Sequence, residues 1–489
     1  MSLTRVHGIK PEIINILLNS KFKNLALVSP YKIGLDGTVV QIKDKKIISI
    51  YPPHLQTTEF NLFDKYKTLN IYKFSKDFCI NQFKNLLLYY TKSIDRNSYY
   101  ELVLGIIIYL QKETIYSEIV PNSLWTEIDD PNDLMVARYL FDKKSRKTFL
   151  ENTFGGYWNF DILDFCFIRN MYFPTDSMLS EIKNNLAPVL QNYGSNNNIL
   201  NKKLSYVLEV DESNLVLLNG LSQIYPILKS FLNNKRILIP NPTFGEYLKL
   251  SKQIDTYCDD GKNTYENLKK KIFDNENIFI VNPNNPTGTT LETENIYKLA
   301  KNNLKKFFIV DESFIDFSNQ KSIIQYLEKD PLENLIVLTS LSKSYGLPGI
   351  RLGYIYSSNI NLLNNFKIDL PIWNSNSIAE FYLEIILKYK NELENSFVKT
   401  KDDRAQLIKC ISEIDFVNEV WQSGGNFILI RLQYKKSDNC SIIDYLINNH
   451  NIFVKEVTDK FIKDEYIYLR IAVRNPRENS LLLNALANY

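Results

Sequence analysis

The sequence predicts an α/β protein built on a mostly parallel sheet with helices on both faces. From about residue 205 onward, short β-branched and leucine runs alternate with helical stretches, the pattern of strand–helix–strand units. Most of these runs end in a stretch rich in Gly, Pro, Asn, Asp or Ser, at the strand ends beyond which such sheets bind ligands. A charged run, Phe141 to Thr148, sets off a first region of different texture.

Composition narrows the function classes. The 489 residues allow two to four domains, and 45% hydrophobic residues allow a substantial core. Charge nearly cancels, 58 Lys+Arg against 55 Asp+Glu, so a nucleic-acid binder with a concentrated basic excess is not expected. Cys79, Cys166, Cys258, Cys410 and Cys440 are scattered without a C-x-x-C pair, which fits a reducing, cytoplasmic setting and no disulfide framework. Three histidines, His7, His54 and His450, give no histidine-based metal site. The longest apolar run, Leu102 to Leu110, falls short of the roughly 18–20 residues of a membrane helix, and the start, M-S-L-T-R-V-H-G, has no apolar signal core.

In the first region, Leu25 to Val28, Val39 to Ile42 and Lys67 to Ser75 read as strands, and Tyr99 to Leu110 and Met135 to Phe141 as helices. Glu127, Asp129, Asp130 and Asp133 have the oxygen ligands that Mg²⁺ prefers. They equally suit a helix start capped by Asp130 with acids in its first turn. W-T-E-I-D, Trp125 to Asp129, with L-D-G-T near Asp36 and N-I-Y-K-F near Asn70, resembles the C-terminal half of small-molecule nucleotidyltransferases. The resemblance implies a magnesium-binding Asp129. That family's glycine-rich phosphate loop is missing before Asp36, so residues 1–145 are expected to be a partial α/β domain without nucleotidyl transfer and without a metal.

The second region carries the chemistry. Gly155 to Phe165 is aromatic and reads as an arm or as core, and Met178 to Gln191 as a helix. Strands follow at Leu215 to Leu218, Arg236 to Ile239, Ile278 to Val281, Phe307 to Val310 and Leu335 to Leu338. Their ends carry N-G-L-S-Q, P-N-P-T-F-G-E-Y, N-P-N-N-P-T-G, D-E-S-F-I-D-F and S-L-S-K-S-Y-G-L-P-G-I-R. A lysine, Lys343, among Ser340, Ser342 and Ser344, with Arg351 eight residues on, suits a cofactor with an aldehyde at one end and a phosphate at the other, pyridoxal 5′-phosphate. The alternative for this stretch alone is a serine-rich loop with a solvated lysine. Asp311 can meet a protonated ring nitrogen, Asn285 the ring oxygen, and Phe244 a ring face. Gly220, Leu221 and Ser222 open a helix whose N–H groups can face the phosphate.

Residues 155–489 resemble a class I/II, fold-type I aminotransferase of the histidinol-phosphate aminotransferase and threonine-phosphate decarboxylase branch. The resemblance implies a smaller C-terminal α+β domain and a homodimer. It makes Lys343 the lysine that bonds the cofactor, with Ser340, Ser342 and Arg351 on the phosphate. It places Tyr193 against the phosphate of a partner subunit. Asn376, Arg470 and Arg474 become substrate-binding residues, the two arginines sharing one strand face. The expected layout is 146–204 connector and arm, 205–365 cofactor-binding large domain and 366–489 small domain. Phe314 stands where a tyrosine is usual, as in the decarboxylase-like branch.

Both halves together resemble fused nucleotidyltransferase–aminotransferases of phosphonate metabolism. The expected reaction is transamination between 2-aminoethylphosphonate and an oxo-acid acceptor, with phosphonoacetaldehyde as product. A histidinol-phosphate-type aminotransferase, a threonine-phosphate-type decarboxylase and a non-catalytic remnant are the other readings.

Overall fold

The computed structural model describes residues 6–57, 59–97, 99–433, 441–461 and 465–489. Cys440 and the first five residues lie outside them, and so do those parts of the sequence reading. The chain forms two compact units, Met1–Ile162 and Leu163–Tyr489. The expected connector from residue 146 is therefore corrected: Arg146–Thr153 is a helix of the first unit, with Leu150 buried. Among the described residues no helix is long and apolar enough to cross a membrane.

In the first unit, Leu25–Pro30, Tyr66–Lys73, Val39–Lys43, Lys46–Tyr51 and Tyr116–Ile119 close into a barrel. Only the pairing of Leu25–Pro30 with Tyr116–Ile119 is parallel. A partial α/β domain is the expectation here; the hairpin between Val39–Lys43 and Lys46–Tyr51 belongs to a closed barrel instead. Its two turn residues, Asp44 and Lys45, both have positive φ, 50° and 62°. That twist matches a two-residue hairpin, but Asp-Lys is not the Asn-Gly or Asp-Gly signal that would have revealed it. Ala26, Val28, Val40, Phe78, Leu104 and Ile107 fill the adjoining core.

The second unit is organised by a seven-stranded sheet. Its order is Gln253–Cys258, Arg236–Asn241, Asn277–Val281, Phe307–Asp311, Leu335–Ser340, Leu352–Tyr356, Leu215–Asn219. Only Leu352–Tyr356 runs antiparallel to its neighbours. Both faces are buried, as the continuous apolar runs require. Alternate residues Ile278, Ile280, Val310 and Val337 pack into one core, and Phe279, Val281, Ile309, Ile336 and Leu338 into the other. A second, antiparallel sheet is ordered Val417–Val420, Phe427–Gln433, Tyr466–Ala472, Lys455–Glu456. The short strand Leu163–Asp164 pairs with Ile452–Phe453.

Candidate active site

Five parallel strands deliver the motifs to one end of the large sheet. Asp311 is the last residue of its strand, and Lys343 sits on the short helix Leu341–Ser344 directly after the strand Leu335–Ser340. Burial, then the charges of Arg470 and Arg351, push the Lys343 amine down to about 8, while Asp311 pulls the other way. A lysine with that pKa is neutral often enough near neutral pH to attack an aldehyde.

Asp311 is buried, which raises its pKa. Three donors oppose that rise. Ser313 donates its backbone N–H at 2.8 Å and its hydroxyl at 2.6 Å to Oδ1, and the Tyr247 hydroxyl donates to Oδ2. Ser313 Oγ also accepts the Ser340 N–H at 3.0 Å, tying the aspartate to the head of the lysine loop. Phe244 is half-buried beside Tyr247, with ring centroids 5.5 Å apart.

Arg351 has a left-handed backbone, φ 60°, and its Nη2 donates to Ser222 Oγ at 3.1 Å. Gly220 has φ 74°, and a Cβ there would collide with the Arg351 guanidinium. Leu221 is buried behind it. Ser342 Oγ is buried with no hydrogen-bond partner. A phosphate fits this set: a cation, a hydroxyl lacking a partner, and a glycine that leaves room beside the guanidinium.

Arg470 Nη1 donates to Asn285 Oδ1 at 2.9 Å, and its Nη2 donates to the Cys166 carbonyl. Its Nε is buried without a partner. Phe314 is buried against Phe427, edge to face at 5.0 Å, so no hydroxyl stands at that position.

Two expected site residues, Arg474 and Asn376, are placed differently. The strand carrying Arg470 ends at Ala472, so Arg474 lies beyond it and does not share the alternating face. Arg474 is buried, its Nε bonded to Glu478 at 2.7 Å and its Nη1 to the Asp164 carbonyl at 2.7 Å. Asn376 spends its side chain on structure: Oδ1 caps the helix Ser377–Ile385 through Ala379 N–H at 2.9 Å, and Nδ2 donates to the Ile350 carbonyl at 2.8 Å. Tyr193 is exposed and stacks on Trp373 at 4.6 Å.

Residue-by-residue reading missed Tyr247, Ser313 and Asn170. Asn170 takes the Lys343 carbonyl on its N–H at 2.9 Å and donates Nδ2 to the Ser344 carbonyl at 2.9 Å, fixing the lysine loop from 174 residues away. Tyr247 and Ser313 were within the quoted motifs, but only the fold turns them toward Asp311. In the first unit, the fold brings Asp36 beside Glu127 and Asp129, with ligand-type oxygens within 4.8 Å of one another. Asp130 caps the helix Pro131–Phe141. Asp133 accepts the Asp129 N–H at 3.0 Å.

The parallel sheet and the lysine, aspartate and arginine at its strand ends define an α/β enzyme of the pyridoxal-phosphate type. Residues 170–486 match the family of class I and II aminotransferases, and the chain belongs to that family. It is an aminotransferase enzyme, and the family's cofactor is pyridoxal 5′-phosphate. It is similar to CMP-5′-(3-aminopropyl)phosphonate synthase of Streptomyces rubellomurinus, 25% identical over 93% of this chain and 73% of that protein. It is 27% identical to an L-serine phosphate decarboxylase of Campylobacter jejuni, over 67% of this chain and 88% of that one. Among solved structures, histidinol-phosphate aminotransferase from Clostridium acetobutylicum superposes with TM-score 0.58 and 28% identity, over 67% of this chain and 98% of that one.

Proposed function

We propose that this enzyme transaminates a small phosphonate or phosphate amine, with 2-aminoethylphosphonate and phosphonoacetaldehyde as the amine and its oxo product. The observation that carries the reading is Arg470. Its positive charge acts on the Lys343 amine, two of its nitrogens are fixed by Asn285 and the Cys166 carbonyl, and its buried Nε lacks a hydrogen-bond partner. A desolvated guanidinium with an open N–H calls for an anion. The similarity to a phosphonate-handling relative over 93% of this chain, which must reach into the first unit, supports the phosphonate in particular.

Pyridoxal phosphate supplies an aldehyde that takes up the amine and a ring that spreads negative charge. Asp311, whose carboxylate form Ser313 and Tyr247 favour, would face the ring nitrogen and hold a proton there. Asn285 would face the ring oxygen, Phe244 a ring face, and Arg351, Ser340, Ser342 and Ser222 would hold the phosphate. Lys343 Nζ removes the proton from the substrate carbon that bears the amine and delivers it as general acid. In a homodimer Tyr193, exposed here, reaches the partner's phosphate. Phe314 favours a second reading, decarboxylation of a phosphorylated amino acid, in line with the decarboxylase relative.

The test is the holoenzyme mixed with 2-aminoethylphosphonate and no oxo-acid. Transamination converts bound cofactor to the amine form in one turnover and yields phosphonoacetaldehyde; an unchanged spectrum rejects the assignment. CO₂ release from a phosphorylated amino acid, without need of an acceptor, selects the second reading. Borohydride labelling in the parent should map to Lys343 and vanish in Lys343→Ala.

A further inference from the structure

The turn that follows Lys455–Glu456 carries Lys460 to the Phe244 segment. Val457 donates to the Tyr468 carbonyl at 2.9 Å, Thr458 Oγ1 accepts the Tyr468 N–H at 3.0 Å, and Phe461 stacks on Tyr468 with centroids 3.9 Å apart. The turn is therefore pinned to the strand of Arg470. From it, the Lys460 ammonium reaches the carbonyl of Thr243 at 2.5 Å, the residue before Phe244, and lies 3.9 Å from where a Gly245 Cβ would be.

That placement is electrostatically uncomfortable. Lys455 sits directly opposite Arg470 on the paired strands, and like charges so placed repel. Burial lowers the Lys460 pKa, the neighbouring Asp459 opposes that, and the positive charges of Arg470 and Lys455 add to the lowering. Among the described residues Lys460 makes no ion pair, and one neutral carbonyl takes only one of its three N–H bonds. Lys455, Arg470 and Lys460 thus lie within electrostatic reach of one another, and Lys460 is bonded to a carbonyl and not to a carboxylate. Cations so grouped favour a doubly charged anion among them.

We propose that Lys460 is a specificity-determining residue that, with Arg470, holds the dianionic phosphonate or phosphate of the substrate and selects it over a monoanionic carboxylate. The inference rests on the substrate reading above. It also assigns Lys460 a second duty. Its bond to Thr243 draws the Lys455–Phe461 turn over the Phe244 side of the site.

The experiment compares 2-aminoethylphosphonate with β-alanine, its carboxylate counterpart, in single-turnover half-reactions of the holoenzyme. In Lys460→Met the preference for the phosphonate should fall by about tenfold or more, through apparent affinity and not maximal rate, and Lys460→Arg should restore it. If Lys460→Met slows both substrates alike, Lys460 only braces the turn and the inference fails. Should the parent not react with 2-aminoethylphosphonate, the substrate reading fails separately. The cofactor spectrum is then titrated with methylphosphonate and with acetate. A methylphosphonate affinity that drops in Lys460→Met relative to acetate upholds the dianion site; an unchanged ratio overturns it.

Discussion

Arg470 Nη1 lies 2.9 Å from Asn285 Oδ1, so the arginine proposed for the substrate anion is bonded to the asparagine proposed for the cofactor's ring oxygen. On the proposed roles, this one hydrogen bond would couple substrate and cofactor recognition. We expect Arg470→Ala and Asn285→Ala each to weaken the half-reaction by about tenfold to a hundredfold, the loss of a charge-assisted contact. The double variant should lose less than the product of the two, because both singles break the same bond. Single-turnover kinetics of the four proteins give the coupling directly; full additivity would mean the two residues act independently.

Lys343 has a folded pKa of about 8, below the ordinary 10.5 of a lysine. Its neutral form, the nucleophile, is a minority below that pH and falls about tenfold for each further pH unit. The rate at which apoenzyme captures pyridoxal phosphate should therefore rise with pH and level off above about 8. Arg470→Ala removes a neighbouring positive charge that helps lower this pKa, so its plateau should begin at higher pH. Rapid-mixing absorbance across pH measures both.

Gly220 has φ 74° and ψ 149°, a conformation essentially reserved for glycine, and its missing Cβ makes room for Arg351. Gly220→Ala should strain the turn and displace the guanidinium. We expect cofactor affinity to drop by about tenfold or more, from the loss of a charged contact to the phosphate. Equilibrium dialysis with pyridoxal phosphate checks it; Gly220→Ala binding as tightly as the parent would remove Arg351 from the phosphate site.

Lys67 is fully buried and pairs with buried Glu127 at 2.9 Å in the first unit. Lys67→Met leaves Glu127 beside Asp36 and Asp129 without that cation. Breaking such a pair costs about 3–5 kcal/mol. Hydrogen exchange in the strands Tyr66–Lys73 and Trp125–Ile128 should accelerate accordingly. Removing both charges in Lys67→Met with Glu127→Gln should recover part of the loss, since no buried carboxylate then lacks its cation.

The sequence by itself determined the α/β class, the order of the cofactor motifs and their place at strand ends. Short continuous apolar runs such as Leu335 to Leu338, bounded by turn residues, suit strands buried on both faces, and Gly, Asn, Asp and Lys at their ends are local signals. Tertiary structure decided which side chains those signals meet. Arg474 was read onto one face with Arg470, but backbone pairing stops at Ala472 and leaves Arg474 to Glu478 and Asp164. Asn376 was read as a site residue, yet the helix it starts takes its oxygen as a cap. Asn170 and Lys460 lie in no quoted motif, and Tyr247 only ends one; they matter because folding brings Asn170 to the Lys343 carbonyl, Tyr247 to the Asp311 carboxylate and Lys460 to the Thr243 carbonyl. The barrel of the first unit likewise depends on a positive-φ turn at Asp44–Lys45 that no residue type announced. Local periodicity is written in neighbouring residues, whereas hydrogen-bond partners and charge pairs are distant in sequence and are fixed only when the chain closes on itself.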